Sequence, residues 1–303
     1  MDKSKNTPIL DKYKEITSRA KNQRENPTDG NHITVDWVNA NRPLSYSSLK
    51  HFRKSPQHYL EYIAGEFKQT PAMIEGSILD ILLLEPHRAD DQFAVSPKFD
   101  RRTNKGKEAF SEFMEANKGK LIVDEETLER IFKAVEAVHK DEDAMYYLNR
   151  VKKVQVPLMW KDPETGLMNR GFVDGESEPE TQDEFILDLK KTADAATNPF
   201  IRQAYNLDYH LQVGGYTLGY KRQKFRFPDF IHLAVETTPP FGVNIFRADS
   251  KYIEQAQEEY QHTLRAFKYC IDHGLFHQSY AFHRFSVRYN RMELPGYARP
   301  VFG

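Results

Sequence analysis

The chain has 303 residues, 29% charged and 39% hydrophobic, with a mean hydropathy of −0.71; this is enough for one large domain or two small ones, with a core that forms unaided beneath a polar surface. Forty-three Lys and Arg against 44 Asp and Glu leave a formal charge of −1, so no global basic field advertises a nucleic-acid partner and any positive surface has to be local. A single cysteine, Cys270, excludes a disulfide framework and any four-cysteine zinc or iron–sulfur site, and points to a reducing cytoplasm.

Residues 1–42 are polar and without sustained periodicity and read as a flexible arm, with one short helix around Asp11–Lys21. Met1-Asp2-Lys3-Ser4-Lys5 leads into no apolar segment, so no secretory signal is expected. From Leu44 the signals sharpen. Ser45 can cap a short helix ending near Lys54, and Pro56 can open another that runs to Ala64. Ala72–Leu84 is a strongly apolar helix closed by Glu85-Pro86, far short of the ~20 residues of a membrane span. Asp100–Lys107 reads as a polar, basic loop, followed by amphipathic helices around Glu108–Asn117 and Glu125–Lys140.

The middle of the chain changes character. Val154–Lys161, Met168–Glu176 and Phe185–Lys191 are strand-like and separated by turn clusters, the second of them running from Glu178 to Asp183. One long helix is expected over about Pro199–Tyr220, then strands Phe230–Glu236 and Val243–Arg247, then a helix from about Ser250 to His273. This order predicts a single α/β domain over residues 43–303, with a mixed central sheet flanked by helices.

Three features carry chemistry. A turn centred between Glu180 and Thr181 sets Asp174 opposite Leu187 or Asp188, and alternation then puts Asp188 and Lys190 on one face of the ribbon with Leu187 and Leu189 on the other. Clustered carboxylates suit Mg²⁺ or Mn²⁺, and a neighbouring ammonium can orient a water; a cross-strand ion pair on a solvated hairpin is the plainer alternative. Asp80 lies within Ile78-Leu79-Asp80-Ile81-Leu82, where a carboxylate needs a donor, a cation or a metal, and Gly76 one turn earlier allows close backbone approach. Tyr209, Gln212 and Tyr216 share one helical face, with Gly215 and Gly219 beside them, each costing roughly 1 kcal/mol against alanine unless packing requires it.

With these residues in view, the sequence resembles the exodeoxyribonuclease VIII (RecE-type) branch of the PD-(D/E)XK nucleases of phages, prophages and related bacterial elements. The similarity runs from about Leu44 to Pro300. It is carried by Leu44-Ser45-Tyr46-Ser47-Ser48-Leu49-Lys50, Ser55-Pro56-Gln57-His58-Tyr59, the Gly76–Pro86 helix, Asp100-Arg101-Arg102-Thr103, Gly171-Phe172-Val173-Asp174, Asp188-Leu189-Lys190 with Thr192-Ala193-Asp194-Ala195, and Gln212 with Tyr216. No one motif is specific; their order and spacing together are. The chain departs from the family pattern at Asp80, where histidine is usual, and at Val173, where the family name has proline.

The resemblance implies a restriction-endonuclease-like core with Asp174 and Asp188 as metal ligands, Lys190 as the catalytic lysine and the Leu189 carbonyl as a further ligand. It implies that Asp80 adds an oxygen ligand, and that Gln212 and Tyr216 support the site or the DNA strand. The expected activity is a Mg²⁺-dependent exonuclease, with Mn²⁺ able to substitute, that acts on double-stranded DNA ends in the 5′-to-3′ direction. It would leave 3′ single strands for a single-strand annealing partner in recombination, and it would work as a ring-shaped homo-oligomer.

Glu75 and Glu176 are additional acids near this site; Glu176 shares the strand face of Asp174, or else marks a wet hairpin end. Arg101, Arg102, Lys105 and Lys107 form the densest basic segment before it and are candidates for holding phosphate, or else solvated surface. Lys221, Arg222, Lys224 and Arg226 have the same two readings. Cys270, His273 and His277 have a zinc-like spacing but only one thiolate, and no phosphate-binding glycine loop marks an ATPase. A non-catalytic DNA-end or partner-binding protein of the same fold, and a structure-specific endonuclease or repair nuclease, are the alternatives.

Overall fold

A computed structural model describes residues 33–65, 68–179, 183–280 and 282. The proposed helix at Asp11–Lys21, the turn at Glu180-Thr181 and the end of the family similarity near Pro300 lie outside the described residues. The described chain gathers into two compact units, one of residues 33–42, 47–65, 263–280 and 282, the other of residues 43–46, 68–179 and 183–262.

The first unit is helical. Thr34 caps α1 (Val35–Asn41) by accepting the Trp37 N–H at 3.1 Å, within the segment read as an arm. Helix α2 (Tyr46–Lys54) follows Ser45, and Ser55 with Pro56 starts α3 (Pro56–Ala64). Phe52 and Tyr59 each meet Phe267 with centroids 4.9 Å apart, and Phe276 closes the cluster 5.2 Å from Phe267. Cys270 is fully buried in this unit.

The second unit is built on a five-stranded sheet in the order β3-β4-β5-β6-β7, comprising β3 (Val151–Lys161), β4 (Met168–Ser177), β5 (Phe185–Thr192), β6 (Asp229–Glu236) and β7 (Val243–Arg247). Within this sheet β5 and β6 are the parallel pair, in register from Phe185↔Asp229 to Thr192↔Glu236, and the crossover between them holds α9 (Thr197–Asn206) and α10 (Tyr209–Lys224). Earlier in the chain come α4 (Pro71–Leu84), α5 (Ala89–Gln92), β1 (Phe93–Ser96), α6 (Asn104–Ala116), β2 (Leu121–Asp124), α7 (Glu125–Lys140) and α8 (Glu142–Leu148), and α11 (Ser250–His273) follows the sheet. Beside it, β1 and β2 form a short parallel pair.

Both faces of the sheet are covered. Leu187 and Leu189 of β5, with Ile231, Leu233 and Val235 of β6, pack on Ile78 and Leu79 of α4 and Ile131, Ala134 and Val138 of α7. On the opposite face Ala234 meets Phe200 and Ala204 of α9. There α10 is buried along its whole middle, every residue from His210 to Tyr220. Such a helix has to be thin where neighbours cross it: a Cβ on Gly214 would lie 2.1 Å from the Ala256 carbonyl oxygen, and one on Gly215 2.6 Å from the Tyr260 ring.

The structure departs from the sequence reading at several points. The long helix expected over Pro199–Tyr220 is two helices, broken where Asp208 takes a left-handed conformation (φ 59°) that a short polar side chain tolerates. The basic loop is shorter than expected, because Thr103 accepts the Gly106 N–H and starts α6 at Asn104, placing Lys105 in a helix. Strands β1 and β2 and helix α8 carry patterns too short to stand out in the sequence. Gly76 serves no close approach, since a Cβ there would meet nothing within 4 Å. These two kinds of helical glycine should respond oppositely to alanine: Gly214→Ala should cost about 2 kcal/mol or more by forcing α10 away from Ala256, whereas Gly76→Ala should add up to ~1 kcal/mol of helix propensity. Urea denaturation of both variants checks the contrast.

Candidate active site

The site forms where β4 and β5 part. The two strands pair through Gly175↔Leu187 and Glu176↔Ile186, and one residue further on their separation leaves room for a side chain. The Asp174 carboxylate fills that fork, accepting the Leu189 backbone N–H at 2.9 Å in place of the missing ladder bond. Because β5 alternates, Leu187 and Leu189 enter the core on the α4 side while Asp188 and Lys190 face α10, as the hairpin pattern predicts.

Asp188 is only 1% exposed and its two oxygens are met by three donors. Gln212 Nε2 donates to Oδ1 at 2.7 Å, while Lys190 Nζ at 2.5 Å and His232 Nδ1 at 2.8 Å share Oδ2. Burial pushes the acidity of Asp188 toward the neutral form, but the Lys190 charge and the His232 contact outweigh it and hold the pKa below the ordinary carboxylate range. Lys190, desolvated in turn, is kept charged by Asp188 and Asp174, so its pKa is raised. The Tyr209 ring lies 4.9 Å from the Lys190 ammonium. Burial raises the Tyr216 hydroxyl to about 12; its ring lies where a Cβ on Gly171 would be, 2.4 Å from the Tyr216 Cε1.

Asp80 and Asp174 are the partly exposed acids of the group. Burial first, and the Asp188 charge second, raise Asp174 to about 7; burial and the Asp174 charge also raise Asp80 well above its ordinary value. Asp80 of α4 is therefore brought to the same charge cluster as Asp174, Asp188 and Lys190. Among the described residues no three His, Cys, Asp or Glu side chains are gathered in a metal-holding arrangement. The donors nevertheless fit a hard divalent cation in kind: carboxylate oxygens on Asp80, Asp174 and Asp188, and a carboxyl at Asp174 that only an added positive charge would hold ionised at low cost.

Other expected members sit elsewhere. Glu176 is not a wet hairpin end: it is fully buried and clamped by Lys224 at 2.9 Å and Arg226 at 2.8 Å, with Arg226 also bonded to Glu184. Arg222 is held at 2.6 Å by the buried Asp162. Three of the four cations at the end of α10 are thus structural, because the β4–β5 hairpin and the β3–β4 turn supply the acids that pair them. Glu75 bridges Lys191 at 2.5 Å and Arg130 at 3.2 Å. Arg102 is tied to Asp100 at 2.9 Å and is highly exposed, and the Arg101 guanidinium lies 4.4 Å from the Phe110 ring centroid. None of the contacts described around Asp188 involves Arg101, Arg102 or Lys105.

Two participants escape the sequence reading. His232 is one, although a histidine inside Phe230-Ile231-His232-Leu233-Ala234-Val235 is the same kind of anomaly as Asp80; its role depends on the cross-strand register Asp188↔His232, which the sequence does not display. Tyr46 is the other: its hydroxyl donates to the Leu207 carbonyl, and its burial raises its pKa beside Lys190 and Tyr209.

The Asp174 shift has a measurable consequence. A carboxyl raised from 3.8 to about 7 on folding binds its proton more tightly in the native state, so its contribution to metal-free stability is present below pH ~4 and is lost as pH climbs through 7. Thermal melts in EDTA should show this loss between pH 4 and 7 in the native chain and a flatter profile in Asp174→Asn, which should also be the more stable at pH 8.

No curated protein matches this sequence significantly. Among solved structures, one described as a "putative exonuclease" from Eubacterium rectale superposes with a TM-score of 0.55 at 15% identity, covering 88% of this chain and 96% of that one. Another, SSO0001, gives a TM-score of 0.26 at 12% identity over 66% of this chain and 94% of that one, too low to bear on the fold. The first agrees with the mixed five-stranded core described above. Residues 45–278 match the family described as a PDDEXK-like domain of unknown function (DUF3799), and the chain belongs to that family.

Proposed function

We propose that the chain is a metal-dependent exodeoxyribonuclease of the exodeoxyribonuclease VIII type, hydrolysing phosphodiester bonds at double-stranded DNA ends. The observation that carries this reading is the fork of β4 and β5, where Asp174, Asp188 and Lys190 meet and Gln212 holds the Asp188 carboxylate at 2.7 Å. A divalent cation, Mg²⁺ with Mn²⁺ as substitute, held by Asp80, Asp174, Asp188 and the Leu189 carbonyl would supply Lewis-acid polarisation of the phosphodiester and a more acidic water.

The residues of the chain do the rest. Gln212 and His232 fix the Asp188 carboxylate from two directions, so its remaining lone pairs keep a set direction. Lys190 stays protonated and is placed to orient the attacking water and to meet charge developing on the phosphate oxygens. Tyr209 and Tyr216 wall the site on the α10 side, and Arg101, Arg102 and Lys105 are the candidates for the DNA backbone. Degradation in the 5′-to-3′ direction, a ring of several copies, an annealing partner for the 3′ strands and a cytoplasmic setting complete the proposal. Among the described residues no helix is long and apolar enough to cross a membrane.

Incubating the protein with linear and closed-circular duplex DNA, with Mg²⁺ or with EDTA, tests the activity. Loss of linear DNA alone, and only with metal, is expected; cleavage of the circle would make it an endonuclease, and retention of DNA without cleavage a binding protein. Asp188→Asn should lower turnover by roughly 100-fold or more while the fold persists, because the carboxylate lies where transition-state charge is balanced. Lys190→Ala should lose the chemical step yet keep DNA affinity. Wild-type turnover by Asp188→Asn at saturating Mg²⁺ would sink the assignment.

A further inference from the structure

At the far end of α10 from Gln212, the chain exposes two large aromatic rings. Phe225 is 85% and Phe227 77% accessible, the most exposed of the large apolar side chains described. They line a cleft of about 470 Å³ with Lys161, Pro163, Lys221 and Arg222. Arg222 is already committed to Asp162, and Lys224 and Arg226 to Glu176, so these cations shape the cleft. Lys161 and Lys221 are exposed and, among the described residues, in no ion pair; the Lys221 ammonium lies 5.7 Å from the Phe227 ring centroid.

The backbone adds a second anomaly. Phe225 ends α10 in the left-handed region (φ 55°), donating its N–H to the Tyr220 carbonyl. Glycine takes that position freely, whereas a bulky aromatic is strained there. No core packing of the Phe225 ring offsets that cost, and an exposed aromatic at a strained position is a candidate for contact outside the fold.

We propose that Phe225, Phe227, Lys161 and Lys221 form a holding surface for single-stranded DNA, the rings stacking on bases while the ammonium groups meet backbone phosphates. Exposed rings interleaved with unpaired cations are what single-strand binding requires, since every base offers a π-face and every linkage a charge. A second copy of this chain is the less suitable occupant: a two-fold contact would set the same lysines against each other. The placement suits the chemistry as well. Nine residues of helix separate Gln212 from Lys221, about 13 Å at 1.5 Å per residue, or roughly four stacked nucleotides at 3.4 Å. The inference rests on the nuclease reading: one strand would be cut at the fork while this surface retains a few nucleotides of single strand.

The test uses full-length protein and a fluorescein-labelled oligothymidylate of about twelve nucleotides, with binding followed by anisotropy in EDTA and cleavage of a short linear duplex measured separately with Mg²⁺. Phe225→Ala/Phe227→Ala should weaken oligothymidylate binding by roughly ten- to a hundredfold, and Lys161→Ala/Lys221→Ala should lower the salt slope of log K by about 1.4, while duplex cleavage persists in both. Phe225→Gly provides the control for folding, because it should lose affinity yet melt at or above the native temperature. Native-like affinity in the double Phe variant overturns the proposal, as does a fall in its oligomeric mass with affinity unchanged, which would make the patch a contact between copies. Binding by the native protein that depends on the four residues, with no cleavage, would support the surface and reject the nuclease reading; cleavage without such binding would do the reverse.

Discussion

The Asp188 carboxylate organises the second unit. It is a charge almost completely removed from water, on a central strand between two apolar layers, and it is stable there because Lys190, His232 and Gln212 reach it from its own strand, the next strand and the crossover helix. Each donor imposes a structural demand. His232 requires β5 and β6 to be parallel and in register at that pair; Gln212 requires α10 to lie close against the sheet; Lys190 requires its ammonium to stay charged in a desolvated place. The glycines of α10 and Gly171 of β4 are consequences of that closeness, since any side chain there would push α10 away from its neighbours.

Around this paired acid the remaining charges fall into two groups with different physical roles. Glu176, Asp162 and Glu75 are buried or half-buried and each is matched to at least one cation at 2.5–3.2 Å, so none of them is left as an unpaired negative charge. Asp80 and Asp174 are not balanced in this way. They face the same lysine as Asp188, repel one another, and have pKa values displaced upward. Three carboxylates beside one ammonium leave this cluster short of positive charge, so its donors, unlike those of the well-paired acids, suit a divalent cation in kind.

The same contrast separates the cations. A run of basic residues at the end of α10 looks uniform in sequence, yet its members divide into those neutralised by acids of the β4–β5 hairpin and the β3–β4 turn, and Lys221, which stands beside two exposed rings. Charge on a protein surface acquires meaning from what lies within a few ångströms of it, and pairing consumes most of this run.

Much of the fold was written in local pattern. Alternation in β5 forecast which face carries Asp188 and Lys190; the apolar run around Asp80 marked that residue as anomalous; Ser55-Pro56 and the periodicity of Glu125–Lys140 fixed whole elements, because caps and amphipathic spacing act within a few residues. What the sequence could not express were relations between distant segments. The pairing of Glu176 with Lys224 and Arg226, and the contact of His232 with Asp188, join residues up to 50 positions apart, and their energies exist only once the strands are in register. Residue types and local periodicity determined that this chain would form a mixed sheet bearing two aspartates and a lysine on one ribbon. Tertiary structure alone decided which further charges are spent on holding that ribbon in place, because burial and long-range proximity, not composition, set the cost of a charge.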